Sequence, residues 1–117
     1  MDYKTYLEKI LSKEQIDMIN EEYNKKPVTS LRINLLKCNK DKFESLFGTL
    51  DNHPYVDEAY YYNKEEIPFG KNPIHNAGGY YIQDASAMMV VNLLGIDKND
   101  RVLDLCAAPG GKSSQVT

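Results

Sequence analysis

Tryptophan is absent from the chain, cysteine and histidine occur twice each, and phenylalanine three times. Cys38 and Cys106 lie far apart and His53 and His75 are isolated, so no zinc-type ligand spacing exists. Two distant thiols make no disulfide framework, which fits a reducing compartment. No apolar run approaches the roughly 18 residues that a membrane span requires, and the start Met-Asp-Tyr-Lys-Thr-Tyr is too polar for a signal peptide. These absences imply a soluble, cytoplasmic protein without a membrane partner. Nor is there a large excess of one charge: a net −3 over 117 residues gives no global signal for nucleic acid.

What is present is more specific. The content of 42% hydrophobic and 26% charged residues is that of a soluble globular protein of ordinary one-domain length. Tyrosine occurs nine times, with Tyr60, Tyr61 and Tyr62 in one run and Tyr80 and Tyr81 in another. The run offers either a base-stacking platform or strand packing, in which alternate rings face inward. Basic residues concentrate locally: Lys25, Lys26, Arg32, Lys37, Lys40 and Lys42 face a single acid, Asp41, between acidic flanks. Such a segment is either a phosphate-facing patch or a solvated helix-and-loop surface.

Tyr3, Tyr6, Leu7, Ile10 and Leu11 follow helical spacing. Ser12 with Gln15 forms a capping box that opens a second helix, with Ile16, Ile19 and Tyr23 inward, and Pro27 lies beyond its end. From Thr29 to Leu36 the pattern alternates. Leu31, Ile33 and Leu35 point one way; Ser30, Arg32 and Asn34 point the other, as on a half-buried strand. Lys40–Phe47 reads as a helix with Phe43, Leu46 and Phe47 inward, stopped by Gly48. Val56–Tyr62 reads as a strand and Ile67–Phe69 as a short further one. Lys71–Pro73 reads as a linker and Ile74–Ile82 as a short hairpin. Ala85–Leu94 is a helix that is apolar nearly all round and should be buried against a sheet. Arg101–Leu105 reads as a strand. The order predicts an α+β subdomain over 1–70, followed over 71–117 by the start of an α/β domain.

That last strand runs into Asp104-Leu105-Cys106-Ala107-Ala108-Pro109-Gly110-Gly111-Lys112-Ser113. As a nucleotide-triphosphate loop the segment fails, because the first glycine of that pattern falls at Cys106 and Pro109 removes an amide. As a dinucleotide fingerprint it lacks the third glycine. A third reading is the loop of a Rossmann-type methyltransferase. There a strand ends in an acid, Asp104, and a close turn passes under a small ligand at the carboxyl end of the sheet. An ordinary strand-to-helix turn has no need of two alanines, a proline and two glycines in succession.

This segment, preceded by Gly79-Tyr80-Tyr81-Ile82-Gln83-Asp84-Ala85-Ser86-Ala87-Met88, resembles the Sun (Fmu) family of RNA cytosine-5 methyltransferases, over essentially the whole chain. Ser30-Leu31-Arg32-Ile33-Asn34 resembles that family's N-terminal RNA-contacting strand. The resemblance implies a ferredoxin-like or RRM-like subdomain before a Rossmann-type core. It implies S-adenosylmethionine as cofactor, held by Cys106, Ala107, Ala108, Pro109, Gly110, Gly111 and Lys112. It also implies Gln83, Asp84 and Ser86 as a second motif beside that site, RNA contact by Arg32 and Asn34, and ribosomal RNA as partner.

Cytosine C5 is a poor nucleophile, and enzymes that methylate it add a cysteine thiolate to C6 to activate it. In the family those cysteines follow a proline and a threonine downstream of the glycine loop. The chain has no Pro-Cys and no Thr-Cys: Cys106 matches the loop cysteine, and Cys38 follows Lys37. No catalytic residue is therefore assigned. The expectation is an N-terminal part of such an enzyme, inactive alone and binding the cofactor weakly, that either self-associates through 85–117 or is disordered over Ala107–Thr117. The alternative is a stand-alone RNA-binding or interaction module.

Overall fold

The computed structural model describes residues 3–117, so Met1 and Asp2 of the polar start lie outside the described residues. Two helices come first, α1 (Tyr3–Ile10) and α2 (Lys13–Tyr23). Their boundary is set by the capping box. The Gln15 amide donates to the Ser12 hydroxyl and the Ser12 amide donates to the Gln15 side chain, so two otherwise unbonded amides are satisfied. Leu7 and Ile16 are buried, whereas Tyr3, Tyr6, Ile10 and Tyr23, on the expected inner stripes, stay exposed.

Four strands form one antiparallel sheet: β1 (Thr29–Ile33), β2 (Asp51–Asn52), β3 (Ala59–Tyr62) and β4 (Tyr80–Ile82), in the order β2-β3-β1-β4. Helix α3 (Lys40–Phe47) joins β1 to β2, with Asn39 capping it by accepting from the Lys42 amide. Between β3 and β4 come a 3-10 turn at Phe69–Lys71 and a short helix α4 (Pro73–Asn76). This stretch corrects three expectations: the strand at Ile67–Phe69, the linker at Lys71–Pro73 and the hairpin at Ile74–Ile82. The physical reason is a helix start, in which the Asn72 side chain accepts from the Ile74 amide and Pro73 takes the first helical position. With no local partner, Tyr80–Ile82 pairs with β1, placing Leu31 opposite Ile82, Arg32 opposite Tyr81 and Ile33 opposite Tyr80. The sheet therefore continues past residue 70.

Alternation divides the sheet into two covered faces. On one, Leu31, Ile33, Tyr60 and Tyr80 pack with Cys38, Phe43 and Phe69. Phe43 is central: its ring lies 5.5 Å from Tyr60, 5.8 Å from Tyr80 and 6.0 Å from Phe69. Each such ring removed from water contributes on the order of 1.5–3 kcal/mol. The tyrosine run is thus core packing, with Tyr60 buried inward and Tyr61 stacked on His53 on the other side. The His75 ring stacks on Tyr80 at 5.5 Å.

The other face is covered by α5 (Ala85–Leu94), whose Met88 packs on Val56 and Ala59. As expected, α5 is packed against the sheet, but only its sheet-facing side is buried. Val90, Leu93 and Leu94 are exposed, because one layer of sheet covers one side of a helix. Residues 101–105, expected as a strand, have no regular structure, and Leu103 and Leu105 are 80% and 86% exposed. A strand is completed by a neighbour's hydrogen bonds, and no described strand lies alongside. A last short helix, α6 (Ser113–Val116), follows the glycine turn. No helix among the described residues is long and apolar enough to cross a membrane.

Candidate functional site

The site is built from the sheet outward. Ala59, Arg32 and Tyr81 form one row across β3, β1 and β4, on the face away from the aromatic core. On sequence this was the polar face of a half-buried strand. In the folded chain it is covered: Arg32 is only 3% exposed. Its Nη2 donates to the Gly111 carbonyl at 3.2 Å and to Ser114 Oγ at 2.9 Å. Tyr81, its cross-strand neighbour, donates its hydroxyl to the Pro109 carbonyl at 3.1 Å. Ser30 Oγ donates to the Gln83 carbonyl at 2.5 Å and ties β1 to the residue after β4.

Burial lowers the pKa of the Arg32 guanidinium, while the Coulombic pull of Glu58 and Tyr81 acts the other way. A guanidinium starts so high that it keeps its charge. Among the described residues no carboxylate lies within ion-pair distance of it, the ion pairs being Lys25–Glu22 and Lys26–Glu65 at the surface. Its Nε is buried without an acceptor.

The turn is also held from within. The Asp104 carboxylate accepts from Ser113 Oγ at 2.6 Å and from the Cys106 amide at 2.9 Å. These bonds, the Ser113 one foremost, hold the Asp104 carboxyl below the usual carboxylate range, with a smaller contribution from the Lys112 charge. Gly110 has φ +102°, a conformation that side chains rarely adopt. Gly111 lies flat on the sheet: a Cβ there would meet Gln83 Cδ at 3.2 Å and Tyr81 Cε1 at 3.3 Å. Sequence and packing agree on why two glycines stand here.

Between turn and sheet lies a cleft of about 350 Å³, lined by Tyr81, Ile82, Gln83, Asp84, Ala87, Cys106, Ala108, Pro109, Gly110, Gly111 and Lys112. Small-molecule sites are commonly of this size. Gln83 Oε1 is buried there without a hydrogen-bond donor. Six of the seven loop residues singled out on sequence line the cleft. Ala107 does not, and its carbonyl lies 3.4 Å from Ser113 Oγ. Gln83 and Asp84 of the second motif join them; Ser86 is exposed and is not part of the lining. Tyr81, Ile82 and Ala87 were not singled out. Their signal is the strand-to-helix step at Gln83–Asp84, which turns β4 and the start of α5 toward one side.

Arg32 lies beneath the turn and does not line the cleft. Asn34 is further away: its Nδ2 donates to the Gly78 carbonyl at 2.9 Å, and its Oδ1 accepts from the Leu36 amide at 3.2 Å. Of the two cysteines, Cys38 is buried and Cys106 is exposed. A larger groove of about 610 Å³ lies near Lys26, Thr29, Asp51 and Tyr61–Glu66. None of its lining side chains is among the buried groups left without a partner.

Comparison with known proteins places the chain in a family. Residues 1–85 match the family described as the N-terminal domain of 16S rRNA methyltransferase RsmF. Ribosomal RNA small subunit methyltransferase F of Erwinia tasmaniensis is 38% identical over 96 residues, covering 74% of the chain and 20% of the relative. The Vibrio parahaemolyticus protein of the same name is 37% identical over 95 residues, with the same two coverages. That of Escherichia coli K12 is 37% identical over 97 residues, covering 75% of the chain and 20% of the relative. The chain spans about a fifth of the length of these curated relatives.

Proposed function

Because this chain belongs to the family of the N-terminal domain of 16S rRNA methyltransferase RsmF, within the Sun (Fmu) group, we propose that it forms the front of a cytoplasmic RNA cytosine-5 methyltransferase acting on small-subunit ribosomal RNA. The observation that carries this reading is the cleft itself. Two motifs more than 20 residues apart in sequence, at Gln83–Asp84 and Cys106–Lys112, line one small-molecule-sized cavity.

The lining fits S-adenosylmethionine. Gln83 Oε1 is an acceptor still without a donor, and the Asp84 carboxylate can take an ammonium. The Lys112 ammonium can take a carboxylate, and Gly110 and Gly111 let the backbone come close. The cofactor supplies a methyl group on a cationic sulfur. What the chain contributes is a seat: Asp104 and Ser113 fix the turn's shape, while Gln83 and Asp84 face it from the step between β4 and α5.

The ferredoxin-like part of the reading is supported by connectivity. A strand, a helix, two strands, a helical stretch and a fourth strand, ordered β2-β3-β1-β4 with both helical parts on the aromatic face, follow that plan. Over 71–117, α5, the glycine turn and α6 come in the order expected of a Rossmann-type start, but the strand expected at 101–105 is not formed. For Arg32 and Asn34 to contact RNA, both side chains would have to leave their present partners. The chain holds neither a Pro-Cys nor a Thr-Cys, which supports its inactivity alone.

Two experiments test this. Deleting the gene that encodes the chain and mapping 5-methylcytosine in small-subunit rRNA should show one lost position; an unchanged map overturns the reading. Titrating the protein with S-adenosylmethionine under NMR should shift resonances of residues 81–84 and 106–112, with affinity no tighter than about millimolar, or roughly 4 kcal/mol. Shifts elsewhere, or none, count against the cleft.

A further inference from the structure

We infer that Arg32 and Tyr81 are positioning residues for the glycine turn: a cross-strand pair that holds it at two points, on either side of Gly110. That the turn so held serves S-adenosylmethionine rests on the function proposed above.

Three observations carry the inference. First, the two residues are directly opposite in the β1–β4 register, so they stand side by side on one face. Second, each spends its polar end on the turn and not on its own sheet: Tyr81 on the Pro109 carbonyl, Arg32 on the Gly111 carbonyl and Ser114 Oγ. The held carbonyls flank Gly110, whose φ of +102° gives the turn its direction. Third, the arginine is costly where it is. A buried cation without a carboxylate partner loses hydration that two neutral acceptors return only in part. An apolar residue would pack beside Ala59 at less cost but could not reach a carbonyl.

The consequence is mechanical. The strand that carries Leu31 and Ile33 into the aromatic core also carries Arg32 into the turn, so the turn's position is referenced to the most buried part of the molecule. Only one side of the turn is held in this way. Its other side, at Cys106 and Lys112, remains exposed toward the cleft.

The test is backbone order by NMR relaxation on the full chain without ligand. In the wild type, residues 110–115 should show order parameters near those of the sheet, about 0.85. Tyr81→Phe, Ser114→Ala and Arg32→Met should each lower them toward about 0.6 while Leu31, Ile33 and Ile82 are unchanged. Arg32→Lys, which keeps the charge but loses the fork, should give an intermediate fall. If Arg32→Met unfolds the sheet, Tyr81→Phe and Ser114→Ala decide. Unchanged order at 110–115 in both of them, or a turn already disordered in the wild type, overturns the inference. Adding S-adenosylmethionine separates the two claims. An ordered turn that the variants loosen but the cofactor does not shift keeps the clamp and rejects the cofactor.

Discussion

Ser113 Oγ and the Asp104 carboxylate meet at 2.6 Å, closing the glycine turn on itself from its two ends. Because the bond favours the ionised acid, Asp104 has a lower pKa in the folded chain than in the unfolded one. The contribution to stability is therefore present above the ordinary carboxylate value and is lost as pH falls through the lowered one. Following the Asp104 carboxyl by NMR, Ser113→Ala should raise its pKa toward the ordinary value. In each protein the Cys106 amide resonance should move together with the Asp104 titration, and so at higher pH in the variant. A pKa unmoved by the substitution would show that Ser113 is not the cause.

The pair Gly79 and Gly70 gives a stability contrast. A Cβ at Gly79 would stand 2.5 Å from Ile74 Cγ2 and 3.3 Å from the Ile74 carbonyl, whereas at Gly70 the nearest atom is Ile82 Cδ1 at 3.7 Å. Gly79→Ala should cost about 1–3 kcal/mol, as overpacking does. For a chain of this size that is roughly 4–8 °C in melting temperature per kcal/mol. Gly70→Ala should stay within about 0.5 kcal/mol. Equal melting temperatures for the two would contradict the packing of α4 against β4.

Two core tyrosines set an alkaline limit. Burial pushes Tyr80 up to about 12, aided by Tyr62, and its hydroxyl donates to the Phe69 carbonyl at 2.8 Å. Burial likewise raises Tyr60, whose hydroxyl bonds Glu44. For a raised pKa the contribution is complete below the unfolded value near 10 and is lost as pH rises toward the folded one. Denaturant midpoints should hold to about pH 10 and fall beyond it. Tyr80→Phe should flatten that fall, and an identical pH profile in the variant would exclude Tyr80 as its source.

Exposed leucines at 93, 94, 103 and 105 concentrate after residue 85. Sedimentation should therefore show concentration-dependent association, weakened when Leu103 and Leu105 are both changed to Ser. A monomer that stays ordered through these residues at the highest concentrations would rule this out.

Features encoded within a few residues were legible in the sequence. The capping box at Ser12 and Gln15 and the helix Lys40–Phe47 with its Gly48 stop depend on near neighbours, whereas the turn at 106–112, marked by its glycines, is also held from β1 and β4. What escaped depends on distant partners. Tyr80–Ile82 looked like half of a hairpin because nothing local says that its ladder is fifty residues away. The helix start at Asn72–Pro73 lies within the stretch Lys71–Pro73 that reads as a linker. Arg32 was the hardest case, since an alternating strand looks the same whether its polar face meets water or is covered by the chain's own later turn. Residues 101–105 show the converse: a good strand pattern forms no strand without a neighbour.

Strand β4 belongs at once to the sheet, through β1, and to the wall of the cleft, through Tyr81 and Ile82. This bears on how such front segments are exchanged between relatives. A crossover at residue 70 would graft a foreign edge strand onto β1, so the Arg32–Tyr81 row would be assembled from two lineages. A crossover just after Gln83, near where the family match ends at residue 85, would carry the sheet and its hold on the turn as one heritable block.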